Sequence, residues 1–245
     1  MTLGWLAVPS TFTAEVMARQ GFDALCVDMQ HGLVGYGDLW PMLQAVGQTD
    51  VVPLVRVPTN EPGILGKALD AGAYGVIVPL VDTAEQAAAA VRACRYPPRG
   101  ARSFGPIRAA LYAGADYAAH ADEEILVFAM IETRAGLDNL ETICAIPGLD
   151  AIYIGPADLS LALGLPPGVD VEEPAHLAAC DLIRDTAHRH GKRAAMHCYS
   201  AQFAARAVAR GFDLVMLTSD VASLTQGVKT LLGAFRAAIS AAPPR

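Results

Sequence analysis

An alternation of apolar, strand-length segments with helical segments runs through most of the chain and limits its fold more than any other feature. Eight segments are predicted as strands: Leu3–Val8, Ala24–Val27, Val51–Val55, Tyr74–Val78, Ile125–Ile131, Ala151–Ile154, Arg193–His197 and Leu214–Leu217. The helical patterns between them imply that the strands are parallel, and eight parallel strands close naturally into a barrel. We therefore predict one α/β domain over residues 1–245, a (β/α)₈ TIM barrel.

The stretch Asp150–Ser160, DAIYIGPADLS, indicates where the chemistry of such a barrel lies. Gly155–Pro156 ends a buried strand, and Asp158 follows it directly. Glu132 follows the preceding strand, ILVFAMI, in the same way. Because barrels place their sites at the carboxyl ends of the strands, these two carboxylates could hold one divalent cation between them. The alternative for each is a capping role in the helix that follows, which Asp and the neighbouring Thr133 suit well.

Other polar residues end neighbouring strands. They are Asp28, Gln30, His31, Arg56 and His197. This set offers an imidazole as general base and a guanidinium for developing negative charge. Two carboxylates with water and substrate oxygens suit Mg²⁺, Mn²⁺ or Co²⁺ better than structural zinc. His31 could instead be a hydrogen-bonded turn residue and Arg56 an ordinary ion-pairing residue. His197 could be a pocket wall or a buried spacer, and His176 gives no functional signal.

The lysines exclude one mechanism. Lys67 and Lys229 fall within predicted helices, and Lys192 precedes the seventh strand, at the wrong end of the barrel. None is placed to form a Schiff base with a carbonyl substrate. A barrel acting on carbonyl compounds would therefore use its metal as the electron sink. The chain has neither GxGxxG nor GxxxxGK[ST], so a dinucleotide fingerprint and a P-loop are absent.

The composition limits which binding partners and which cellular compartment we expect for this protein. The chain has a net charge of −7, so we expect neither nucleic acid nor an anionic membrane as a partner. Its five cysteines form no CxxC pair, which favours a reducing compartment. We see no signal peptide and no apolar run of about 20 residues, so we expect a cytoplasmic protein.

The segment Arg95–Ala121 is predicted to be irregular and too long for an ordinary βα loop. Its RYPPRGARSFGP core combines proline, glycine and arginine. We interpret it as a shaped loop at the mouth of the site or as a subunit contact. The segment Arg134–Ala145 is predicted to be one helix.

Several motifs, taken in order, resemble those of the HpcH/HpaI aldolases. They are GFDALCVDMQHG, the strand-three Arg56, RYPPRGAR, the MIET of Met130–Thr133, and IGPADLS. The resemblance runs from about Leu3 to Val228. It implies a barrel of the phosphoenolpyruvate/pyruvate superfamily and a metal-dependent (class II) pyruvate aldolase. It further implies that Glu132 and Asp158 bind the metal.

The same resemblance implies roles for further residues. Backbone N–H groups near Ala157 and Asp158 would hold the substrate carboxylate, and His31 would be the acid–base, acting through a water. Asp70 would be the acidic partner of His31, supplied from a neighbouring subunit, and Arg56 would stabilise the enolate and aldolate oxygens. The resemblance also implies a hexamer, built as a trimer of dimers in which the two subunits of each dimer exchange their final helix. In this chain that helix would be residues 221–240.

Two residues depart from the family pattern. Met130 stands where the family commonly has a substrate-contacting Gln, and Gln30 stands where it commonly has Glu. We predict a lyase that cleaves 4-hydroxy-2-oxo acids reversibly to pyruvate, or hydroxypyruvate, and an aldehyde. The alternatives are a citryl- or malyl-CoA-type lyase and a catalytically silent barrel that binds a keto acid.

Overall fold

The computed structural model describes residues 1–241 as a closed barrel of eight parallel strands, paired in sequence order with the eighth against the first. The strands are β1 (Thr2–Leu6), β2 (Ala24–Asp28), β3 (Val52–Arg56), β4 (Gly75–Val78), β5 (Leu126–Ile131), β6 (Ala151–Ile154), β7 (Arg193–His197) and β8 (Leu214–Ser219). The predicted α/β barrel is confirmed, and β6 and β7 have the predicted bounds.

Helices follow the strands and surround the barrel. They are α1 (Thr11–Ala18), α2 (Tyr36–Val46), α3 (Pro62–Asp70), α4 (Ala84–Cys94), α5 (Ile107–Ala113), α6 (Tyr117–Glu124), α7 (Arg134–Asp138), α8 (Leu140–Cys144), α9 (Pro156–Ala162), α10 (Pro174–Arg189), α11 (Ala201–Ala209) and α12 (Asp220–Ala241). Within residues 1–241, none of these helices combines the length and apolar character needed to cross a bilayer.

Two apolar layers stabilise the fold, because side chains alternate between the two faces of each strand. On β5, Val127 and Ala129 pack outward against the helices, whereas Phe128 and Met130 point into the barrel. The interior layer is filled by these two residues and by Trp5, Cys26, Leu54, Ile77, Tyr153, Ala195 and Met216 among others. The site therefore rests on a packed interior and not on an open channel.

The prediction for the segment Arg95–Ala121 was wrong in two respects. The segment contains α5 and most of α6, so it is not irregular throughout. It also joins a helix to the start of β5, which puts it at the amino end of the barrel and away from the mouth of the site. The buried Arg95 confirms this position, because its Nη2 donates to Asp150, the residue just before β6, at 3.0 Å. The second interpretation, a subunit contact, stays a prediction.

One helical prediction also needs correction. The predicted helix over Arg134–Ala145 is broken into α7 and α8, with Asn139 between them. Asn139 donates from its side chain to Asp82 O at 2.8 Å, which accounts for its place at the break. The residues after β6, Asp158 among them, form a short helix, α9, which was not predicted.

The amino end of the barrel and the last helix both expose apolar side chains. At the amino end, an apolar recess of about 420 Å³ opens between strand starts and is lined by Ala24, Leu54 and Phe128 among others. Most of α12 projects away from the barrel. Its Leu224, Leu231 and Phe235 are 69%, 73% and 62% exposed.

The seam between β1 and β8 is closed by one buried carboxylate. Asp220, the first residue of α12, accepts hydrogen bonds from the N–H groups of Ala7 (3.1 Å) and Val8 (3.1 Å). At the other end of the seam, the Val215 N–H donates to Met1 O at 3.0 Å. The first eight residues are thus bonded to residues more than 200 positions later.

Candidate active site

A buried ion pair stands at the carboxyl ends of β2 and β3. Asp28 and Arg56 are the last residues of these strands and lie opposite each other in the register. Arg56 donates from Nε to Oδ1 (2.8 Å) and from Nη2 to Oδ2 (2.6 Å), and Trp5 Nε1 donates to Oδ2 at 3.1 Å. Burial opposes ionisation of Asp28, but the hydrogen bonds and charge of Arg56 outweigh it, so the pKa of Asp28 is lowered.

This pair leaves part of the guanidinium available. Arg56 Nη1 has no hydrogen-bond partner among residues 1–241, and it is not one of the fully enclosed atoms there. The ion-pairing alternative is therefore correct for one side of Arg56, while the other side keeps free donors. Sequence reasoning noted Asp28 but missed that it positions Arg56; the pairing of adjacent strand ends was the available signal.

His31 stands on an exposed turn beside this pair. The N–H groups of Gln30 and His31 both donate to Asp28 Oδ1, at 3.0 and 3.3 Å. A Cβ on the next residue, Gly32, would overlap Asp28 O, so the tight turn requires glycine there. The His31 backbone belongs to a hydrogen-bonded turn, as the alternative suggested. Its imidazole is exposed and has no hydrogen-bond partner in the described chain.

Glu132 is a buried carboxylate with little compensation. Its Oε1 accepts one hydrogen bond, from Leu80 N–H at 2.9 Å. Leu80 has a φ of 53°, in the left-handed region that disfavours leucine, so the backbone is strained where it meets Glu132. Burial raises the pKa of Glu132 to about 7, the Leu80 N–H opposes this rise, and the nearby Asp158 charge adds to it.

Asp158 faces the same space from α9. It is exposed and occupies the third position of that helix, after Gly155 at the N-cap. A Cβ at Gly155 would overlap Glu132 Oε2, so glycine lets the start of α9 lie against the Glu132 carboxylate in its present position. The capping alternative is confirmed for Thr133, which caps α7 by accepting from Gly136 N–H at 2.9 Å. Neither carboxylate is itself a cap, because Gly155 is the N-cap of α9 and Thr133 that of α7.

The start of α9 also offers backbone donors. The N–H groups of Ala157 and Asp158 precede the first intrahelical donor, Leu159, and have no acceptor among residues 1–241. Two side chains fix the start of this helix. Ser160 Oγ (2.8 Å) and His176 Nε2 (3.2 Å) both donate hydrogen bonds to Pro156 O.

The role of His176 was missed at the level of sequence. Its side chain is fully buried, and burial lowers its pKa, so its neutral ring serves as a donor to the carbonyl. The signal was its helical spacing: His176, Ala179, Cys180 and Ile183 share the buried face of α10.

Met130 and Asp70, the remaining predicted residues, lie at different levels of the barrel. Met130 is 2% exposed and points into the barrel two residues before Glu132, on the same strand face. Asp70 ends α3, at the amino end of the barrel, where its Oδ1 accepts from Arg102 Nη2 at 2.7 Å. Within one chain, Asp70 and His31 are therefore at opposite ends, and a contact between them requires a second copy.

His197 ends β7 and is half-buried. Its ring packs edge-on against Trp5 with centroids 5.0 Å apart, and its Nδ1 lies 3.0 Å from Tyr153 Oη. Burial lowers the pKa of His197 to about 4, and the charge of Arg56 adds to this effect. The side chain is thus a neutral, hydrogen-bonded wall of the barrel interior.

The donor set fits a hard divalent cation. Among residues 1–241, no group of three or more His, Cys, Asp or Glu side chains is arranged to hold a metal. Glu132 and Asp158 offer two carboxylates to such an ion, and Mg²⁺-type ions commonly take their remaining positions from water and substrate oxygens. A cation would also supply the compensation that the buried Glu132 lacks, as its raised pKa indicates.

Comparison with known proteins places these residues in one family. The family model for HpcH/HpaI aldolase/citrate lyase matches residues 2–226. The chain is 43% identical to a hydroxypyruvate/pyruvate aldolase of Rhizorhabdus wittichii, covering 96% of this chain and 93% of the relative. It is 37% identical to a 2-dehydro-3,6-dideoxy-6-sulfogluconate aldolase of Pseudomonas putida, covering 95% and 91%.

A solved structure supports the same assignment. The barrel superposes on an HpcH/HpaI aldolase/citrate lyase family protein from Burkholderia cenocepacia J2315 with a TM-score of 0.91. That protein is 31% identical, and the match covers 96% of this chain and 94% of the other. The resemblance inferred from the motifs is confirmed: the chain belongs to the HpcH/HpaI aldolase/citrate lyase family.

Proposed function

We propose that this protein is a metal-dependent pyruvate aldolase, which reversibly cleaves 4-hydroxy-2-oxo acids to pyruvate or hydroxypyruvate and an aldehyde. Relatives at 37–43% identity carry aldolase names, which supports the reaction class. The observation that carries the proposal is the pairing of Glu132 with Asp158 across the Gly155 contact. This pair lies at the end of the barrel that also bears Arg56 and His31.

Glu132 and Asp158 would hold the divalent cation, for which Mg²⁺, Mn²⁺ and Co²⁺ are the candidates. When bound, such an ion polarises the carbonyl of a 2-oxo acid and makes its C3 proton easier to remove. The family is generally dependent on divalent metals, and the oxygen-only donor set favours hard cations over structural zinc.

The remaining groups would act directly on the substrate. The N–H groups of Ala157 and Asp158 would bind its carboxylate, since both are free at the start of α9. Arg56 would donate from Nη1 to the substrate oxygen that gains negative charge, while Asp28 keeps the guanidinium in place. His31 would take up and return the proton at its exposed imidazole. Met130 would line the substrate pocket from below.

A direct test is carbon–carbon bond formation from pyruvate or hydroxypyruvate with a panel of aldehydes. Exhaustive chelation should abolish turnover, and Mg²⁺, Mn²⁺ or Co²⁺ should restore it. Glu132→Gln should lower kcat/KM by about 10³-fold or more, because metal-assisted charge stabilisation contributes several kcal/mol.

The matched control is Glu141→Gln, which changes an exposed glutamate that pairs with His190 at 2.8 Å. This variant should retain full activity. Turnover by fully chelated protein, with a lysine adduct trapped by borohydride, would contradict the proposal.

The structure gives less support to a citryl- or malyl-CoA-type lyase. Such an enzyme needs basic residues near the site to bind the CoA phosphates. The arginine-rich segment is at the opposite end, where Arg95, Arg102 and Arg108 all donate to groups of this chain. The free donors and the solvent-facing His31 likewise speak against a catalytically silent barrel.

We also propose that the protein is a homo-oligomer, a hexamer formed as a trimer of dimers, with α12 packed on a neighbouring subunit. Two observations support this: the exposed apolar residues of α12, and the position of Asp70, which reaches a His31 only between copies. Light scattering should give a mass well above 25.7 kDa at micromolar concentration, and a fully active monomer would contradict the proposal.

All five cysteines are free and buried, which supports a cytoplasmic location.

A further inference from the structure

Two polar side chains inside the barrel have no part in the proposed reaction: Tyr153 and His197. Tyr153 is fully buried, and its hydroxyl has one hydrogen-bond partner among residues 1–241, His197 Nδ1 at 3.0 Å. Trp5 connects this pair to the ion pair above, because its ring lies 5.0 Å from the His197 ring and 4.9 Å from Arg56 Cζ. The pair is therefore next to the groups proposed to bind substrate.

The surroundings determine which atom donates in this hydrogen bond. If His197 Nδ1–H donated to Tyr153, the tyrosine hydroxyl hydrogen would be buried without an acceptor, which is costly. If Tyr153 donates, its hydroxyl hydrogen and the Nδ1 lone pair of His197 are both satisfied. Burial raises the pKa of Tyr153 well above its ordinary value and lowers that of His197 to about 4, so both are neutral near pH 7. The proton of the neutral imidazole must then be on Nε2.

The Nε2 atom is left available for a ligand. It has no hydrogen-bond partner among residues 1–241, and it is not among the fully enclosed unpaired atoms there. His197 is the last residue of β7, so this N–H lies at the same end of the barrel as Arg56, the last residue of β3.

We propose that the Nε2–H of His197, oriented by Tyr153, is a specificity-determining donor for a neutral oxygen of the substrate. The inference rests on the proposed aldolase function and adds a preference to it. The oxygen is either the C3 hydroxyl of hydroxypyruvate or an oxygen substituent of the aldehyde. A buried donor discriminates in this way because a substrate without the oxygen leaves the N–H unpaired. An uncharged donor suits a hydroxyl, whereas the carboxylate is assigned to α9.

The test compares substrates that differ by one oxygen. The kcat/KM ratio of hydroxypyruvate to pyruvate is measured with propanal, and the ratio of glycolaldehyde to propanal is measured with pyruvate. His197→Leu removes the donor, Tyr153→Phe releases the ring, and His197→Gln is the matched control because its amide N–H can still donate. We expect His197→Leu to reduce one of the two ratios about tenfold, the effect of one hydrogen bond. Tyr153→Phe should reduce the same ratio, and His197→Gln should retain most of it.

The outcomes separate this inference from the proposed function. Loss of the first ratio assigns the oxygen to hydroxypyruvate, and loss of the second assigns it to the aldehyde. If His197→Leu turns over these substrates and both kcat/KM ratios stay unchanged, the inference is wrong while the proposed function still stands. A wild type that turns over none of these pairs with metal overturns the proposed function, and the inference with it. Nitrogen-15 NMR near pH 7 gives an independent readout: Nε2–H supports the inference, and Nδ1–H overturns it.

Discussion

Buried arginines at the amino end of the barrel are paired with carboxylates, whereas the carboxyl end holds one such pair, Arg56 with Asp28, beside Glu132, which has no ion-pair partner among residues 1–241. At the amino end, Arg95 is paired with Asp150 and Arg102 with Asp70, at 3.0 and 2.7 Å. At the carboxyl end, Glu132 is just as enclosed but receives one backbone hydrogen bond and has an acidic neighbour. Burying a charge without a partner is unfavourable, so the second arrangement lowers stability in the metal-free protein.

This difference separates the polar residues that stabilise the fold from those that can bind a ligand. Paired charges at the amino end fasten the helical connections to the strand starts. Unpaired groups at the carboxyl end, such as Glu132, His31 and Arg56 Nη1, keep binding capacity for a ligand. Substitution of Arg95 or Asp150 at the amino end should therefore change stability at constant specific activity, whereas substitution of His31 at the carboxyl end should lower activity at nearly constant stability.

The largest effect is expected at His31. His31→Ala should lower kcat/KM for aldol cleavage by roughly 10²–10⁴-fold, the usual loss for a missing general acid–base. The free energy of unfolding should hardly change, because the imidazole is exposed and unpaired. Steady-state kinetics and urea titration measure the two quantities, and wild-type turnover in the variant would leave His31 as a turn residue only.

Arg56→Lys should lower kcat by about 10²-fold, the scale of one lost oxyanion donor. Lysine keeps the charge but cannot hold Asp28 with two nitrogens and still present a third. The KM for pyruvate should change much less, because the loss falls on the transition state. A raised KM at constant kcat would instead make Arg56 a ground-state anchor for the substrate.

Asp150→Asn tests the opposite end. It leaves the Arg95 charge without its carboxylate, so unfolding should cost about 2–3 kcal/mol less, somewhat below the range for fully buried pairs. The specific activity of the folded protein should stay at the wild-type level. Glu123→Gln, which breaks an exposed pair with Arg99, is the control and should change stability by less than about 1 kcal/mol. A large loss of activity in folded Asp150→Asn would contradict the assignment of stability to the amino end and of activity to the carboxyl end.

The smallest effect concerns the pH dependence of stability at His197. The pKa of this residue is lowered from 6.5 to about 4 by burial, so the unfolded chain binds a proton first as the pH falls. The wild type should therefore lose stability between about pH 6.5 and pH 4, by roughly 1 kcal/mol or more. His197→Gln should lack this component. Urea unfolding of both proteins at pH 7.5 and 4.5 measures it, and parallel losses would show that His197 is not buried as described.

The strands, and the positions of Glu132 and Asp158 just after two of them, could be predicted because their signals are local. Each strand is a short apolar run, and Glu132 and Asp158 each follow one directly. The contacts of Trp5 and Arg56 with Asp28, and of His176 with Pro156 O, were missed because they join residues 20 or more positions apart, and their sequence signals identify a partner only once the fold is known. The Arg95–Ala121 error has a related cause: the composition of a loop does not say which end of the barrel it occupies.

The contact of Asp220 with Ala7 and Val8 has a consequence for the synthesis of the protein. A ribosome releases β1 long before β8, and the two strands complete each other's hydrogen bonding only after more than 200 further residues have emerged. Until then β1 has an unpaired edge, and the nascent chain presents an open sheet that other chains could join. Pairing with β8 and the arrival of the Asp220 carboxylate end this exposed period, so the emergence of β8, and not that of β1, determines when the barrel can close.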